Sequence, residues 1–181
     1  MSTVTVWHPG VVLSPAELTP AIIAAIKVEL TSAQTLALTC WREAEARLED
    51  GRWIPNPVDA MVDILEVIDY RAQDQRWRKF GHKGVCLQRR QFSCWEPEGG
   101  RDNFEAVMHA AQRMLAGVQP TGKLLDCLAA AEACLAGSLV HTLPIKTTHY
   151  FAGWMLAWPR WAVGHQPVAR RWGHVFFNDI R

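Results

Sequence analysis

Residues 31–45 read Thr-Ser-Ala-Gln-Thr-Leu-Ala-Leu-Thr-Cys-Trp-Arg-Glu-Ala-Glu, a helix-forming segment that is apolar until it reaches two carboxylates. Thr31 or Ser32 is suited to cap the start of a helix. Apolar residues then recur every three or four positions, which is the spacing of one buried helix face. These residues are Ala33, Leu36, Ala37, Cys40, Ala44 and Leu48. The pattern predicts a helix that continues to about residue 48 and stops at Glu-Asp-Gly.

The two carboxylates at the end of this segment belong to Glu43 and Glu45. Side chains two residues apart on a helix point about 200° apart, so these two cannot both face one cleft. Each lies about 100° from the centre of the apolar face, on opposite flanks. Poor solvation raises the pKa of a glutamate, which can then donate a proton near neutral pH. The segment therefore predicts an acid catalyst, and periodicity alone does not choose between the two residues.

Helical signals dominate the rest of the chain, and strand signals are weak. Further helices are predicted at about 20–30, 58–70, 104–115 and 123–139. Asn103 is predicted to cap the helix at 104–115, and Asp59, Asp63 and Glu66 are predicted to form a solvent-facing acidic surface. We predict a mainly α fold, with one compact domain over residues 1–181 and a cleft lined by the aromatic C-terminal segment.

The aromatic content points to a carbohydrate ligand. Nine tryptophans occur in 181 residues, and aromatic faces stack on the apolar faces of sugar rings. The polar groups nearest to these aromatics in sequence are Gln91, Ser93, Thr147, Thr148 and His149. A core packed with tryptophan is the more common explanation of such a content, and the carbohydrate ligand is the functional hypothesis.

Composition argues against several other classes of protein. The chain has 19 basic and 18 acidic residues and a net charge of +1, so nucleic acid is not an expected partner. No apolar run approaches the roughly 20 residues that span a bilayer, so membrane insertion is not expected. The N-terminus shows no basic segment followed by an apolar one, so we expect no signal peptide and a cytoplasmic location when the protein is synthesised.

Metal and disulfide patterns are also absent from the sequence. The five cysteines are odd in number and form no CxxC pair, which supports neither a complete disulfide framework nor a zinc knuckle. Four histidines, His141, His149, His165 and His174, are spaced by 8, 16 and 9 residues and match no HxxxH or HExxH motif. We therefore predict no metal and no other cofactor.

Five blocks of sequence carry a resemblance to a known family. They are Trp41-Arg42-Glu43-Ala44, Val85-Cys86-Leu87-Gln88-Arg89-Arg90-Gln91-Phe92-Ser93-Cys94-Trp95, Thr148-His149-Tyr150-Phe151, Pro159-Arg160-Trp161-Ala162 and Gly173-His174-Val175-Phe176-Phe177. In order and approximate spacing, these blocks are similar to the SleB-type cell wall hydrolases, a spore-cortex-lytic family with many phage members. The similar region covers about residues 36–178, which leaves residues 1–30 as an N-terminal extension and helix.

The resemblance implies a lysozyme-like α+β fold that acts on the glycan strands of peptidoglycan. In such lytic transglycosylases one Glu protonates the oxygen between N-acetylmuramic acid and N-acetylglucosamine, and the muramic acid C6 hydroxyl closes on C1. One carboxylate suffices because the substrate supplies the nucleophile, which agrees with the lack of an obvious second acid. The phage members imply a role in host lysis, with action on the bacterial wall after release.

The family pattern also implies roles for single residues. Glu43 is the preferred acid because residues 39–42 fit only that register, and Glu45 is the acid in the alternative register. Gln91, Ser93, Thr148 and His149 would hydrogen-bond the sugar or the acid, while Phe92, Tyr150 and Phe176 would form walls.

Two other functions stay open at this point. The family usually continues with Arg-Gly-Glu, whereas this chain has Glu45-Ala46-Arg47-Leu48-Glu49, so a degenerate, non-catalytic member that binds glycan strands is one alternative. A zinc peptidase or amidase that acts on the peptide stems is the other.

Overall fold

A computed structural model describes residues 7–44, 52, 58–178 and 180. In these residues the chain forms six α-helices and a small three-stranded sheet, so the predicted mainly α architecture is confirmed. The helices are α1 (Pro20–Glu29), α2 (Ser32–Glu43), α3 (Val58–Gln73), α4 (Gly81–Leu87), α5 (Arg101–Leu115) and α6 (Lys123–Leu135). The strands are β1 (Thr147–Ala152), β2 (Ala169–Arg171) and β3 (His174–Asn178).

Threonine caps fix the starts of the first two helices. Thr19 caps α1 by accepting a hydrogen bond from the Ile22 amide at 3.3 Å, with Pro20 at the first helical position. Thr31 and Gln34 form a reciprocal capping box at the start of α2. The chain bends by 115° between α1 and α2.

Helix α2 lies at the centre of the fold. Every residue from Thr35 to Cys40 is buried, and α2 packs against α3, α4, α5 and α6. The buried Thr39 hydroxyl makes two hydrogen bonds: it donates to the Thr35 carbonyl at 2.7 Å and accepts from the indole N–H of Trp95 at 2.8 Å. The predicted apolar face is thus only part of a helix that is covered on nearly all sides.

Helix α2 ends at Glu43, about five residues before the predicted stop. Ala44 leaves the helical conformation, with φ −80° and ψ 22°, while its amide still donates to the Cys40 carbonyl at 2.9 Å. Residues 45–51, and with them the alternative acid Glu45, lie outside the described residues.

The prediction that Asp63 and Glu66 of α3 face solvent is wrong. Both are buried, because residues more than 70 positions later supply partners. Asp63 pairs with the Arg171 guanidinium at 2.5 Å. Glu66 accepts from the Thr142 amide at 2.7 Å, the Thr142 hydroxyl at 3.0 Å and the Leu143 amide at 2.7 Å. The Glu66 contacts attach the segment before β1 to α3, and the Asp63–Arg171 pair attaches the end of β2 to the same helix.

The sheet has the strand order β1-β3-β2, and both pairs are antiparallel. Trp172 and Gly173 join β2 to β3, and both have positive φ (54° and 76°), as a type I′ hairpin turn requires. Part of the aromatic C-terminal segment is core: Phe151 and Phe177 stack at 5.8 Å between ring centroids.

Three helix boundaries differ from the prediction. Helix α3 extends to Gln73, and α6 ends at Leu135 because Gly137 turns the chain with φ 70°. Helix α5 begins at Arg101 with Gly100 at its N-cap. Asn103 accepts a hydrogen bond from Arg42 of α2.

A search of the described residues for membrane spans found no single helix that is long and apolar enough to cross a bilayer. Helices α1 and α2, bent by 115° relative to each other, would qualify as a pair by length and composition only.

Replacement of Glu66 by alanine should lower the free energy of unfolding by roughly 3 kcal/mol, because it leaves the buried Leu143 amide and the partly buried Thr142 amide without this acceptor. Urea unfolding measures the loss. Asp59→Ala is the matched control on the exposed first turn of the same helix, and it should change stability by less than about 0.5 kcal/mol. Equal losses in both variants would contradict the assigned role of Glu66.

Candidate active site

Glu43 lies on the wall of a cleft of about 460 Å³, where the central helix α2 ends. Its Oε1 accepts hydrogen bonds from the Ser93 hydroxyl at 3.2 Å and the Cys94 amide at 3.1 Å. Its Oε2 accepts from the Tyr150 hydroxyl at 3.1 Å. Three donors from two distant parts of the chain thus fix the orientation of this carboxylate.

The remaining cleft walls combine polar, charged and aromatic side chains. Arg90, Gln91 and Asn103 provide polar groups, and Trp154 and Met155 provide apolar surface. Trp154 is 38% exposed, so its ring is open to a ligand. Such a mixture suits a ligand with both hydroxyl groups and apolar faces.

Tyr150 is held in place by the aromatic rings behind it. Its ring packs against Phe92 and Phe176, with centroid distances of 6.5 and 5.9 Å. Burial raises the pKa of Tyr150 well above its usual value, and the nearby Glu43 carboxylate raises it further. Tyr150 is therefore a neutral phenol at neutral pH, and its hydroxyl donates a hydrogen bond to Glu43.

His174 of β3 also lines the cleft, beside the ring of Tyr150 at 5.3 Å between centroids. Burial lowers its pKa to about 4, although hydrogen bonds with the main chain of Glu43 and Trp172 act in the opposite direction. At neutral pH this imidazole is uncharged and links β3 to the end of α2.

A buried cation completes the site from the side of α3. Arg71 donates through Nε to the Thr148 carbonyl at 2.6 Å, and its guanidinium lies over the rings of Phe92 and Trp77 at 5.2 and 5.6 Å. Burial lowers its pKa to about 10, with Tyr150 and Glu43 acting in the opposite direction. Arg71 therefore still carries a positive charge at neutral pH.

A comparison with protein families decides the class of this chain. The sequence profile of a family described as Cell Wall Hydrolase matches residues 55–177, which is more than half of the chain. The chain belongs to this cell wall hydrolase family. Searches among curated proteins and among solved structures found no match. The matched segment of the cell wall hydrolase includes Ser93, Cys94 and Tyr150, whereas Glu43 lies upstream of it.

The cell wall hydrolase fold brings some predicted site residues together. Gln91, Ser93 and Tyr150 share the cleft with Glu43, and Tyr150, which was predicted to form a wall, also bonds to the carboxylate. Phe92 is buried behind Tyr150 and does not line the cleft. Phe176 is buried there too.

Thr148 and His149 are not brought to this cleft. Thr148 is the extra residue of a bulge in β1, since Thr147 pairs with Asn178 and His149 with Phe177. The bulge directs Thr148 toward a neighbouring hollow, and its hydroxyl lies 3.0 Å from Nδ1 of His149. The ring of His149 packs against Trp77 and Trp161. The predicted contacts of these two side chains with the acid are therefore not formed.

Sequence reasoning missed two carboxylates in the cleft of this cell wall hydrolase. Glu96 and Glu98 line it, and Glu96 accepts from the Arg90 amide at 2.6 Å. Their sequence context, Glu-Pro-Glu-Gly-Gly, indicates a loop and gives no sign of where that loop packs. Arg71 was also missed, because its place in the site depends on tertiary contacts, whereas Trp154 belongs to the aromatic C-terminal segment that was predicted to line the cleft.

Acid should destabilise the protein through His174. Between pH 6.5 and about 4 the unfolded chain binds a proton on this residue and the folded chain does not, so His174 should contribute a loss of stability of roughly 1 kcal/mol per pH unit as the pH decreases. This contribution should level off below pH 4. Urea unfolding of wild type and His174→Asn from pH 7 to pH 4 measures it.

The His174→Asn variant should show a shallower dependence on pH than wild type. His109→Asn, which alters an exposed histidine of α5, is the control and should keep the wild-type slope. A wild-type slope in His174→Asn would show that other groups cause the acid sensitivity.

Proposed function

We propose that this cell wall hydrolase is a lytic transglycosylase that cleaves peptidoglycan between N-acetylmuramic acid and N-acetylglucosamine, with Glu43 as the acid. One observation carries the proposal: the Glu43 carboxylate is fixed in a cleft by donors from Ser93, Cys94 and Tyr150. A general acid needs this kind of positioning, because proton transfer requires hydrogen-bond distance to the reacting oxygen.

The geometry leaves Glu43 able to reach a substrate. Each carboxylate oxygen can take part in about two hydrogen bonds, and Oε2 uses one, to Tyr150. The donors hold the side chain from the protein side, while the carboxylate lines the open cleft. A glycosidic oxygen in the cleft would therefore meet a carboxyl group of fixed orientation.

The proposed reaction needs one carboxyl group in two successive roles. Glu43 first gives its proton to the glycosidic oxygen, and the bond from that oxygen to C1 of the muramic acid breaks. The C6 hydroxyl of the same sugar then bonds to C1, and its proton returns to Glu43. The products are an N-acetylglucosamine end and a 1,6-anhydro-muramic acid end, and no water is consumed.

The cleft lining supports a sugar substrate. Trp154 offers a partly exposed aromatic face, and Gln91 and Asn103 lie among the polar lining groups. The role in phage-type host lysis, with action on the wall after release, stays a prediction that rests on the resemblance to SleB-type enzymes.

Replacement of Glu43 by glutamine should slow the clearing of a peptidoglycan suspension at least about 100-fold, because the amide cannot supply the proton. Glutamine keeps one oxygen acceptor and a similar volume, so the variant should fold. Glu29→Gln is the matched control, since Glu29 is the last residue of α1 as Glu43 is of α2 and is exposed. Turbidity and mass spectrometry of the released fragments are the measurements.

Three outcomes would count against the Glu43 mechanism. Unchanged clearing by Glu43→Gln would remove its role, and loss of activity in Glu45→Gln alone would favour the other register. Glycan binding by the wild type without any cleavage would indicate a non-catalytic member of the family.

Variants of the two further carboxylates of the cleft, Glu96 and Glu98, distinguish a transglycosylase from a hydrolase. A hydrolase needs a second carboxylate to activate water or to attack C1, whereas a transglycosylase needs only one. Glu96→Gln and Glu98→Gln should therefore keep near wild-type rates and 1,6-anhydro products. Reducing ends in the wild-type products, together with loss of activity in either variant, would make the enzyme a hydrolase.

A further inference from the structure

A cluster of metal-binding side chains lies where three helices meet. Asp69 is in the last turns of α3, His82 is near the start of α4, and Cys134 is in the last turn of α6. One ligand atom from each of the three lies within 4.8 Å of the others. None of the three lines the cleft that contains Glu43.

We propose that Asp69, His82 and Cys134 form a zinc site that joins α3, α4 and α6. A carboxylate oxygen, an imidazole nitrogen and a thiolate are the three kinds of protein ligand that zinc takes. Neither the cell wall hydrolase family match nor the proposed function assigns this site, and the proposal does not depend on the proposed function.

The three donor atoms lie within 4.8 Å of one another, so small adjustments would bring them to the spacing of a zinc site. Ligand atoms on one tetrahedral zinc lie roughly 3.3 to 3.8 Å apart, because the bonds to the metal are about 2.0 to 2.3 Å long. Oδ1 of Asp69 lies 2.8 Å from Nε2 of His82, joined by a hydrogen bond. A metal ion would replace the proton that these two atoms share, so modest side-chain movement would open the site.

The outer contacts that a zinc carboxylate needs are already present. Oδ2 of Asp69 accepts from the Gln73 amide at 2.7 Å and lies 3.2 Å from Nε2 of His141. The ring of His141 is held edge-on to Tyr70 at 4.9 Å between centroids. Residues that support a ligating carboxylate in this way fix its orientation. Asp69 can therefore offer Oδ1 to the metal while Oδ2 keeps both contacts.

Burial and access also fit this assignment. Asp69 and Cys134 are 8% and 4% exposed, which shields the metal–ligand bonds from water. The side chains of His82 and His141 are 27% and 31% exposed, so an ion can enter from that side. Binding would replace the S–H bond of Cys134 by an S–Zn bond and release that proton to solvent.

Metal titration of the purified full-length chain tests the proposal. After removal of bound metal with a chelator, the protein should bind one equivalent of Zn²⁺, and Zn²⁺ should raise the melting temperature. Co²⁺ in place of Zn²⁺ should give a thiolate-to-cobalt charge-transfer band. Cys134→Ala should lose that band, and both Cys134→Ala and His82→Ala should bind Zn²⁺ at least about 100-fold more weakly.

Matched variants separate direct ligation from general effects. Cys127→Ala, at another buried cysteine of α6, and His109→Ala, at an exposed histidine of α5, should bind Zn²⁺ as the wild type does. His141→Ala should weaken binding by about 10 to 100-fold, because it removes only a support of Asp69.

The proposal fails if the wild type binds less than one equivalent of Zn²⁺, or if Co²⁺ gives no thiolate band. It also fails if Cys134→Ala retains the band. If a variant does not fold, the stoichiometry and the Co²⁺ spectrum of the wild type decide the question.

Discussion

The burial of α2 on nearly all its faces is the constraint on which the remaining structure depends. A helix enclosed by four others must satisfy its own polar groups, and the Thr39 hydroxyl does so by bonding both to its own helix and to Trp95. This bond anchors the segment that holds Ser93 and Cys94 beside the end of α2. Where the enclosure stops, the helix stops, and its last side chain is Glu43. The same packing that stabilises the core therefore places the carboxylate at the cleft.

The local parts of the fold are predictable from the sequence, and the long-range parts are not. The capping residue Thr31 and the helical periodicity predict where α2 begins, because those interactions span three or four residues. Glu66 looks like a solvent-exposed helix residue in its own segment, since its partners come from residues 142 and 143. The α+β resemblance implies a sheet, but the sequence pattern does not locate its strands, because a Trp-Gly pair forms the hairpin turn of β2 and β3 in place of the common Asn-Gly or Asp-Gly.

The candidate site is likewise only partly predictable from the sequence. Family resemblance singles out Glu43, Ser93 and Tyr150, and the structure places them in hydrogen-bond contact although they are 50 and 107 residues apart. The family resemblance does not predict that Thr148 and His149 lie outside the cleft, because a one-residue bulge in β1 changes which side chains face it. The sequence pattern also does not predict that Glu96 lines the cleft, because a loop residue gives no periodic signal of the surface it contacts.

The proposed acid and the groups that orient it come from distant parts of the chain. Glu43 comes from α2, whereas the groups that orient it come from the segment around residue 93 and from β1. No short stretch of chain holds both the acid and its hydrogen-bond donors. A nascent or partly folded chain would therefore contain the proposed acid without the donors that fix its orientation. Completion of the tertiary fold would then be needed before the proposed acid is oriented in the cleft.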